Sequence, residues 1–229
     1  MPSIPLSIHK MRQTAETVGH WTFSEGTGNT LADASGNNNP GTRGTGAAEP
    51  QWVTTGRHLN ALSFDGNDTV SIPHASSLNL TNVSVLAWVN PAANGSYPMF
   101  VSKFTSNTNR YELLMNAGTG KAEMLAGNAM SSAVEAVDPI ALTLGTWYFL
   151  VGTFDGSNVK IYRDGALKTT AALAGNLDTN TAALALGSRN DATQYYQGRL
   201  DNVQIRNVAM TAEQIAAEFQ RMTRVVLIN

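Results

Sequence analysis

The chain has 229 residues, with 15 Lys and Arg against 17 Asp and Glu and no cysteine. A formal charge of −2 leaves no basic footprint for a nucleic-acid backbone, and the absence of thiols excludes disulfide staples, thiolate zinc sites and cysteine nucleophiles. Hydrophobic residues make up 42%, enough for a sizeable core, yet no apolar run approaches the roughly 20 residues of a membrane-spanning helix.

In chain order, residues 1–18 read as an N-terminal arm. Pro2 and Pro5 interrupt it and no apolar stretch follows Lys10 and Arg12, so no secretory signal peptide is recognisable. Ile4-Pro-Leu-Ser-Ile8 alternates as an extended arm laid on a surface does. Asp33–Glu49 is a long polar loop. Strand-like runs follow at 61–64, 69–72, 83–89, 98–104, 111–115, 146–154, 158–162 and 199–205, the last with a shift of phase that reads as a β-bulge. The pairs Asp65-Gly66, Asp155-Gly156 and Asp164-Gly165 predict type I′ hairpin turns, because both residue types tolerate positive φ. Thr211-Ala-Glu-Gln214 is a capping box, with Met210 and Ile215 placed as a hydrophobic staple and Ile215, Phe219 and Met222 on one face of a helix. Residues 223–229 form a C-terminal tail in which Val225–Ile228 is a β-prone apolar run. The abundance of 24 Thr, 21 Asn and 20 Gly suits half-buried strands joined by tight turns. Together these elements predict an all-β, antiparallel two-sheet sandwich with one short C-terminal helix.

The succession GHWTFSEGTGNTLADASGNNNPGT, ALSFDGNDTVSIP, SVLAWVNP, GTWYFLVGTFDGSNVKIYRDGAL, LALGSR and GRLDNVQIRNVAMTAEQIAAEF resembles the laminin-G-like jelly-roll domain of the concanavalin A-like lectin/glucanase superfamily. The resemblance implies a single jelly-roll domain over residues 19–222. It says little about function, because that fold serves lectins, adhesion domains, glycosidases and virion proteins. Phe64, Trp88, Trp147, Phe149 and Phe154 sit inside strand patterns and read as core rather than as ligand platforms.

Glycosidases of the superfamily carry paired acids as E-x-D-x-x-E on one strand, and this chain has no such spacing; the nearest are Glu135/Asp138 and, on a surface helix, Glu213/Glu218. No nucleophile elbow, H-E-x-x-H or complete phosphate loop occurs either, so the expectation is a protein that is not an enzyme. The resemblance implies a structural Ca²⁺ held by Asp33, Asn38 and Asp201, with Glu25 as a further ligand, from the oxygen-rich loop at 33–41 and the final strand. The alternative is that Asp33 and Ser35 only make Asx and Ser turns. For a lectin-type site, Asn190, Asp191, Tyr195 and Tyr196 combine aromatic and hydrogen-bonding groups in one loop, with Tyr97 as a second aromatic; a tyrosine pair there also suits a lid over the sandwich end.

Two functions follow. One is a surface-exposed structural or adhesion protein, an accessory or decoration subunit of a phage-like virion or similar assembly, anchored to neighbouring subunits of an oligomer or shell through its terminal arms. The other is a carbohydrate-binding module that meets cell-surface glycans, in an extracellular protein or a glycan-active enzyme. Neither requires nucleic acid or a membrane, and both place the domain on a virion surface or outside the cell.

Overall fold

The computed structural model describes residues 16–95 and 97–225. Two antiparallel sheets pack face to face. The first runs β14 (Ala166–Ala172), β13 (Asn158–Arg163), β12 (Tyr148–Phe154), β7 (Val83–Pro91), β16 (Gln197–Arg206), β5 (Leu59–Asp65) and β4 (Gln51–Gly56), with β1 (Thr17–Trp21) also paired to β16. The second runs β11 (Ser131–Val137), β10 (Ala122–Asn128), β9 (Asn109–Met115), β8 (Met99–Ser106), β15 (Leu184–Leu186), β6 (Val70–Ile72), β3 (Gly41–Arg43) and β2 (Thr30–Leu31). The expected two-sheet sandwich is therefore the architecture.

Alternation along each strand sends one set of side chains into the space between the sheets. Tyr111, Leu113 and Met115 of β9 and Ala122, Met124 and Ala126 of β10 meet Val83, Val85, Ala87 and Val89 of β7 in one core. The next residues over, Glu112, Leu114, Glu123 and Leu125, face away from that core, and Met99, Leu114 and Leu125 form a small buried cluster of their own.

The helix, α1 (Ala212–Val225), lies on the outer face of the first sheet, where Met210, Ile215, Phe219 and Met222 cover Leu86, Trp88, Phe149 and Val151. Its start has the reciprocal geometry that Thr211 and Gln214 foretell: the Thr211 N–H donates to Gln214 Oε1 (2.8 Å) and the Gln214 N–H to Thr211 Oγ1 (3.3 Å). The helix continues through Val225, past the expected boundary at 222, so Thr223–Val225 belong to it rather than to a strand-like tail. Residues 226–229 and 1–15, on which the arm and tail expectations rest, lie outside the described residues. Glu218, expected on an exposed helix face, is instead buried between Arg206 of β16 (3.3 Å) and Arg221 (2.7 Å), and so ties α1 to the sheet.

Of the three expected type I′ turns, one forms, one is a hairpin with a different connection, and one is no hairpin at all. Asp164 (φ 54°) and Gly165 (φ 81°) link Arg163 to Ala166 as a two-residue turn with both φ positive. Asp155-Gly156 also joins a hairpin, β12 to β13, but by a longer loop in which Asp155 Oδ1 accepts the Ser157 and Asn158 N–H groups. Asp65-Gly66 makes no hairpin, because β5 belongs to the first sheet and β6 to the second. There the chain crosses the end of the sandwich, and Asp68 Oδ2 accepts the Asp65 N–H (2.7 Å) to hold the crossing. The phase shift in the last strand is a register irregularity between Asp201 and Gln204, with Asn202 at φ 50°.

Candidate functional site

The oxygen-rich loop closes on itself. Asp33 Oδ1 accepts the His20 and Ser35 N–H groups, both at 2.9 Å, while Oδ2 accepts Ser35 Oγ–H (2.8 Å) and the Asn39 N–H (2.9 Å). Asn39 in turn donates to the Val18 carbonyl (2.7 Å) and accepts the Trp21 indole N–H on its own carbonyl (2.9 Å), which pins the loop onto β1. Asn38 is exposed at φ 58°, a backbone geometry that asparagine tolerates. Glu25 Oε1 accepts the Ala32 N–H (2.8 Å) and closes the preceding turn.

Asp201 is not in this company. It is fully buried opposite Trp88, and its Oδ2 accepts the His58 N–H (2.7 Å) beneath α1, whose Met222 carbonyl accepts from His58 Nε2 (3.0 Å). Asp33, Asp201 and Glu25 thus serve three separate hydrogen-bond sets, none of which includes the exposed Asn38. Both Asp33 oxygens already carry two donors each, a poor fit to a cation. Among the described residues, no three His, Asp or Glu side chains are grouped to hold a metal ion.

The expected ligand loop lies between β15 and β16 and is tightly built. The Asn190 amide clasps the backbone of Phe104, accepting its N–H (2.9 Å) and donating to its carbonyl (2.8 Å). Asp191 grips the Arg189 guanidinium at 2.8–3.1 Å and accepts Thr193 Oγ1–H (2.5 Å). That hydrogen bond from Arg189 holds the Asp191 carboxyl below its usual range. Asn190 and Asp191 therefore shape the loop rather than offer free groups to a ligand.

The two tyrosines separate. Tyr196 enters the core instead of the site: its ring packs edge-on against Phe100 (5.0 Å) and beside Phe64 (5.9 Å), and its hydroxyl donates to the Arg199 carbonyl (3.1 Å). Gly198 makes this possible, since a Cβ there would sit 2.4 Å from the Tyr196 hydroxyl. Tyr195 stays half-buried and lines a cleft of about 480 Å³ with Gly66, Gly95, Thr193, Gln194 and Gln197. That cleft brings together the β5–β6 crossing, the β7–β8 loop and the β15–β16 loop. Tyr97, 41% exposed, stands on the second of these.

Gln194 and Gln197 are the cleft residues that sequence patterning misses. Gln194 has φ 55°, its carbonyl accepts the Met99 N–H (3.2 Å), and its side-chain Oε1 is buried without a hydrogen-bond partner. With Ala192 (φ 57°) and Tyr97 (φ 53°), three non-glycine residues around this cleft hold left-handed backbone. Such conformations persist where surrounding structure enforces them and gather at binding sites.

Two other clefts are occupied by the protein's own chemistry. One of about 530 Å³ is lined by Asn37, Ser77 and Asn79, whose side chains are already bonded to Thr17, Asn39 and Asn180. The other, about 390 Å³, lies beside α1, where the Arg57 guanidinium covers the Trp88 ring at 4.7 Å.

No curated protein sequence matches the chain. Among solved structures, it is similar to domain 4 of AbnA, a GH43 extracellular arabinanase from Geobacillus stearothermophilus, solved in complex with arabinotriose, with TM-score 0.72 and 20% identity over 88% of this chain and 97% of that one. It is also similar to the binding domain of Paraclostridial Mosquitocidal Protein 1 (TM-score 0.72, 16% identity, 91% of this chain and 52% of that one). A third likeness is to the binding domain of Botulinum Neurotoxin serotype G (TM-score 0.69, 13% identity, 90% and 51%), so the chain spans about half the length of these toxin domains. At these identities the likeness is one of fold. The family model described as Concanavalin A-like lectin/glucanases superfamily matches residues 64–216, well over half of the sequence and the stretch that carries both walls of the cleft. The chain belongs to the concanavalin A-like lectin/glucanase superfamily.

Proposed function

We propose that this domain is a non-catalytic, lectin-type binding module that holds a glycan in the cleft at the Tyr195 end of the sandwich. The observation that carries the reading is the cleft itself. A half-buried tyrosine, two glutamine amides, a threonine and two glycines line it, on loops anchored by backbone hydrogen bonds. Aromatic and amide groups of this kind match the alternating apolar and hydroxyl faces of a sugar. The fold shared with an arabinanase domain solved with arabinotriose supports the same direction.

Absence of catalysis is supported by the state of one pair of neighbouring acids on the second sheet. Glu112 and Glu123, on neighbouring strands of the second sheet, are sealed at 0% and 2% exposure. Glu112 is held by Ser102 Oγ–H (2.7 Å) and faces Arg110 (3.2 Å), and burial raises the carboxyl of each. Neither is open to a substrate, whereas glycoside hydrolysis needs two carboxyls flanking the scissile bond.

Titration calorimetry against an oligosaccharide panel tests the reading. Binding that Tyr195→Ala weakens at least tenfold while thermal stability is kept supports it; no binding to any glycan rejects it. Display of this module on a virion or other assembly is compatible with the same chemistry, and co-purification with a particle would establish it.

A further inference from the structure

We infer that Asn94-Gly95, on the wall of the Tyr195 cleft, is a self-modifying site, where the asparagine converts spontaneously through a cyclic imide to aspartate and isoaspartate. The chemistry needs a backbone nitrogen and a side-chain amide that are free to meet. Asn94-Gly95 is the one Asn-Gly pair in the sequence. A glycine has no Cβ to shield its own nitrogen and leaves the backbone free to turn that nitrogen toward the preceding side chain.

The fold leaves both partners loose. Asn94 and Gly95 are exposed on the β7–β8 loop, outside any strand. Neither the Asn94 amide nor the Gly95 N–H makes a hydrogen bond among the described residues. The amide only rests beside Gly120 of the β9–β10 loop, 3.7 Å from where a Cβ would stand.

Similar pairs elsewhere are held. Asn60, Asn116 and Asn128 precede alanines, and each amide donates a hydrogen bond, to the Ser24 carbonyl, Glu123 Oε1 and the Ala174 carbonyl. In Asp65-Gly66, Asp155-Gly156 and Asp164-Gly165 the carboxylates accept the N–H groups of Asn67, of Ser157 and Asn158, and of Phe149, and the glycines sit at positive φ. Gly95 does not have positive φ, and a Cβ there would meet only Pro98 Cγ (3.6 Å) and the Tyr195 carbonyl oxygen (3.9 Å), both ordinary contacts. The fold therefore accepts alanine at this position.

In the reaction the Gly95 nitrogen gives its proton to a solvent base and bonds to Asn94 Cγ. The Cγ–Nδ2 bond breaks, the nitrogen takes up protons and ammonia leaves. Water then opens the imide, at Cγ to give aspartate or at the Asn94 backbone carbonyl to give isoaspartate. Either product sets a carboxylate, ionised at neutral pH, where a neutral amide stood beside the cleft-lining Gly95. Isoaspartate also lengthens the loop backbone by a methylene.

The test ages the full chain in warm, mildly alkaline buffer, digests it in acid and reads the peptides by mass spectrometry, with isoaspartyl methyltransferase labelling to separate the two products. Asn94 is expected to convert at least tenfold faster than any other asparagine, to give both products, and to react faster as pH rises. Gly95→Ala is expected to slow the conversion at least tenfold at an unchanged melting temperature. An intact Asn94 in the native chain, beside conversion in the denatured chain, shows that the fold keeps the pair apart and overturns the inference. Conversion to aspartate alone, or at a rate that Gly95→Ala leaves unchanged, also overturns it, because direct hydrolysis of the amide needs no imide. None of these outcomes depends on what the cleft binds.

Discussion

Trp88 on β7 and Asp201 on β16 stand directly opposite each other, and each keeps one buried polar atom without a hydrogen-bond partner, the indole Nε1 and the carboxylate Oδ1. The rest of each side chain is well used. The Trp88 ring touches Phe149 (5.4 Å), Phe219 (6.0 Å) and His58 (5.9 Å), and Asp201 holds the His58 N–H. Packing is therefore what Trp88 contributes, and hydrogen bonding is what Asp201 contributes.

Trp88→Phe should cost little, under about 1.5 kcal/mol, because the lost ring volume is partly offset by removing an unsatisfied donor. Asp201→Ala should cost more, roughly 2–3 kcal/mol, since it strands the His58 N–H beneath α1. Urea denaturation of both variants checks the order; the reverse order would show that the indole N–H is satisfied in solution.

Asp33→Ala should destabilise the domain by about 2–3 kcal/mol, through four donors left without their acceptor. The melting temperature of the unaltered protein should be the same with calcium and with chelator, because those donors already occupy both oxygens. A chelator-induced drop that Asp33→Ala abolishes would establish a cation at this loop.

Burial pushes the Glu123 carboxyl up to about 7, with the Glu135 charge adding to the effect and the Asn116 hydrogen bond opposing it. The native state then keeps a proton that the unfolded chain releases near the ordinary value of 4.5, so stability falls as pH rises between these values and stays lower above them. Glu123→Gln retains an oxygen for the Asn116 donor, 2.7 Å away, and removes the titration. It should raise stability at about pH 8 by roughly 1–3 kcal/mol and flatten the decline. Denaturation at acid and alkaline pH measures both; an unchanged decline rejects the assignment.

Tyr196→Phe should cost about 1 kcal/mol through loss of the hydroxyl bond to the Arg199 carbonyl, and leave glycan affinity untouched. Tyr195→Ala should do the opposite. A binding defect in Tyr196→Phe would mean that the core tyrosine reaches the ligand.

The central strands were legible because their side chains are those a pleated, buried surface takes. Val83–Val89, Phe149–Phe154 and Val159–Ile161 announce β7, β12 and β13 directly. β10 (AEMLAGN) and β11 (SSAVEAV) were not, since Ala, Glu and Gly carry little strand preference and their placement comes from pairing with β9. The same limit applies at the cleft. Loop composition pointed to Tyr195 and Tyr97, but which of two adjacent tyrosines turns inward depends on Phe64, Phe100 and Gly198 folding around it. Gln194 was invisible because its role lies in a left-handed backbone and an orphaned oxygen. Asp201 was recognisable as special, but its partner His58 lies 143 residues away in sequence.

β16 fills the slot between β7 and β5 and also carries β1, yet it is the last strand of the described chain to be synthesised. Until residues 197–206 have left the ribosome, β7 and β5 each present a bare edge around an empty lane, and β1 has no strand to join. The first sheet therefore cannot close stepwise behind the ribosome. Its completion waits for one late insertion, and a nascent chain paused before Gln197 would be the form most prone to pair with its neighbours.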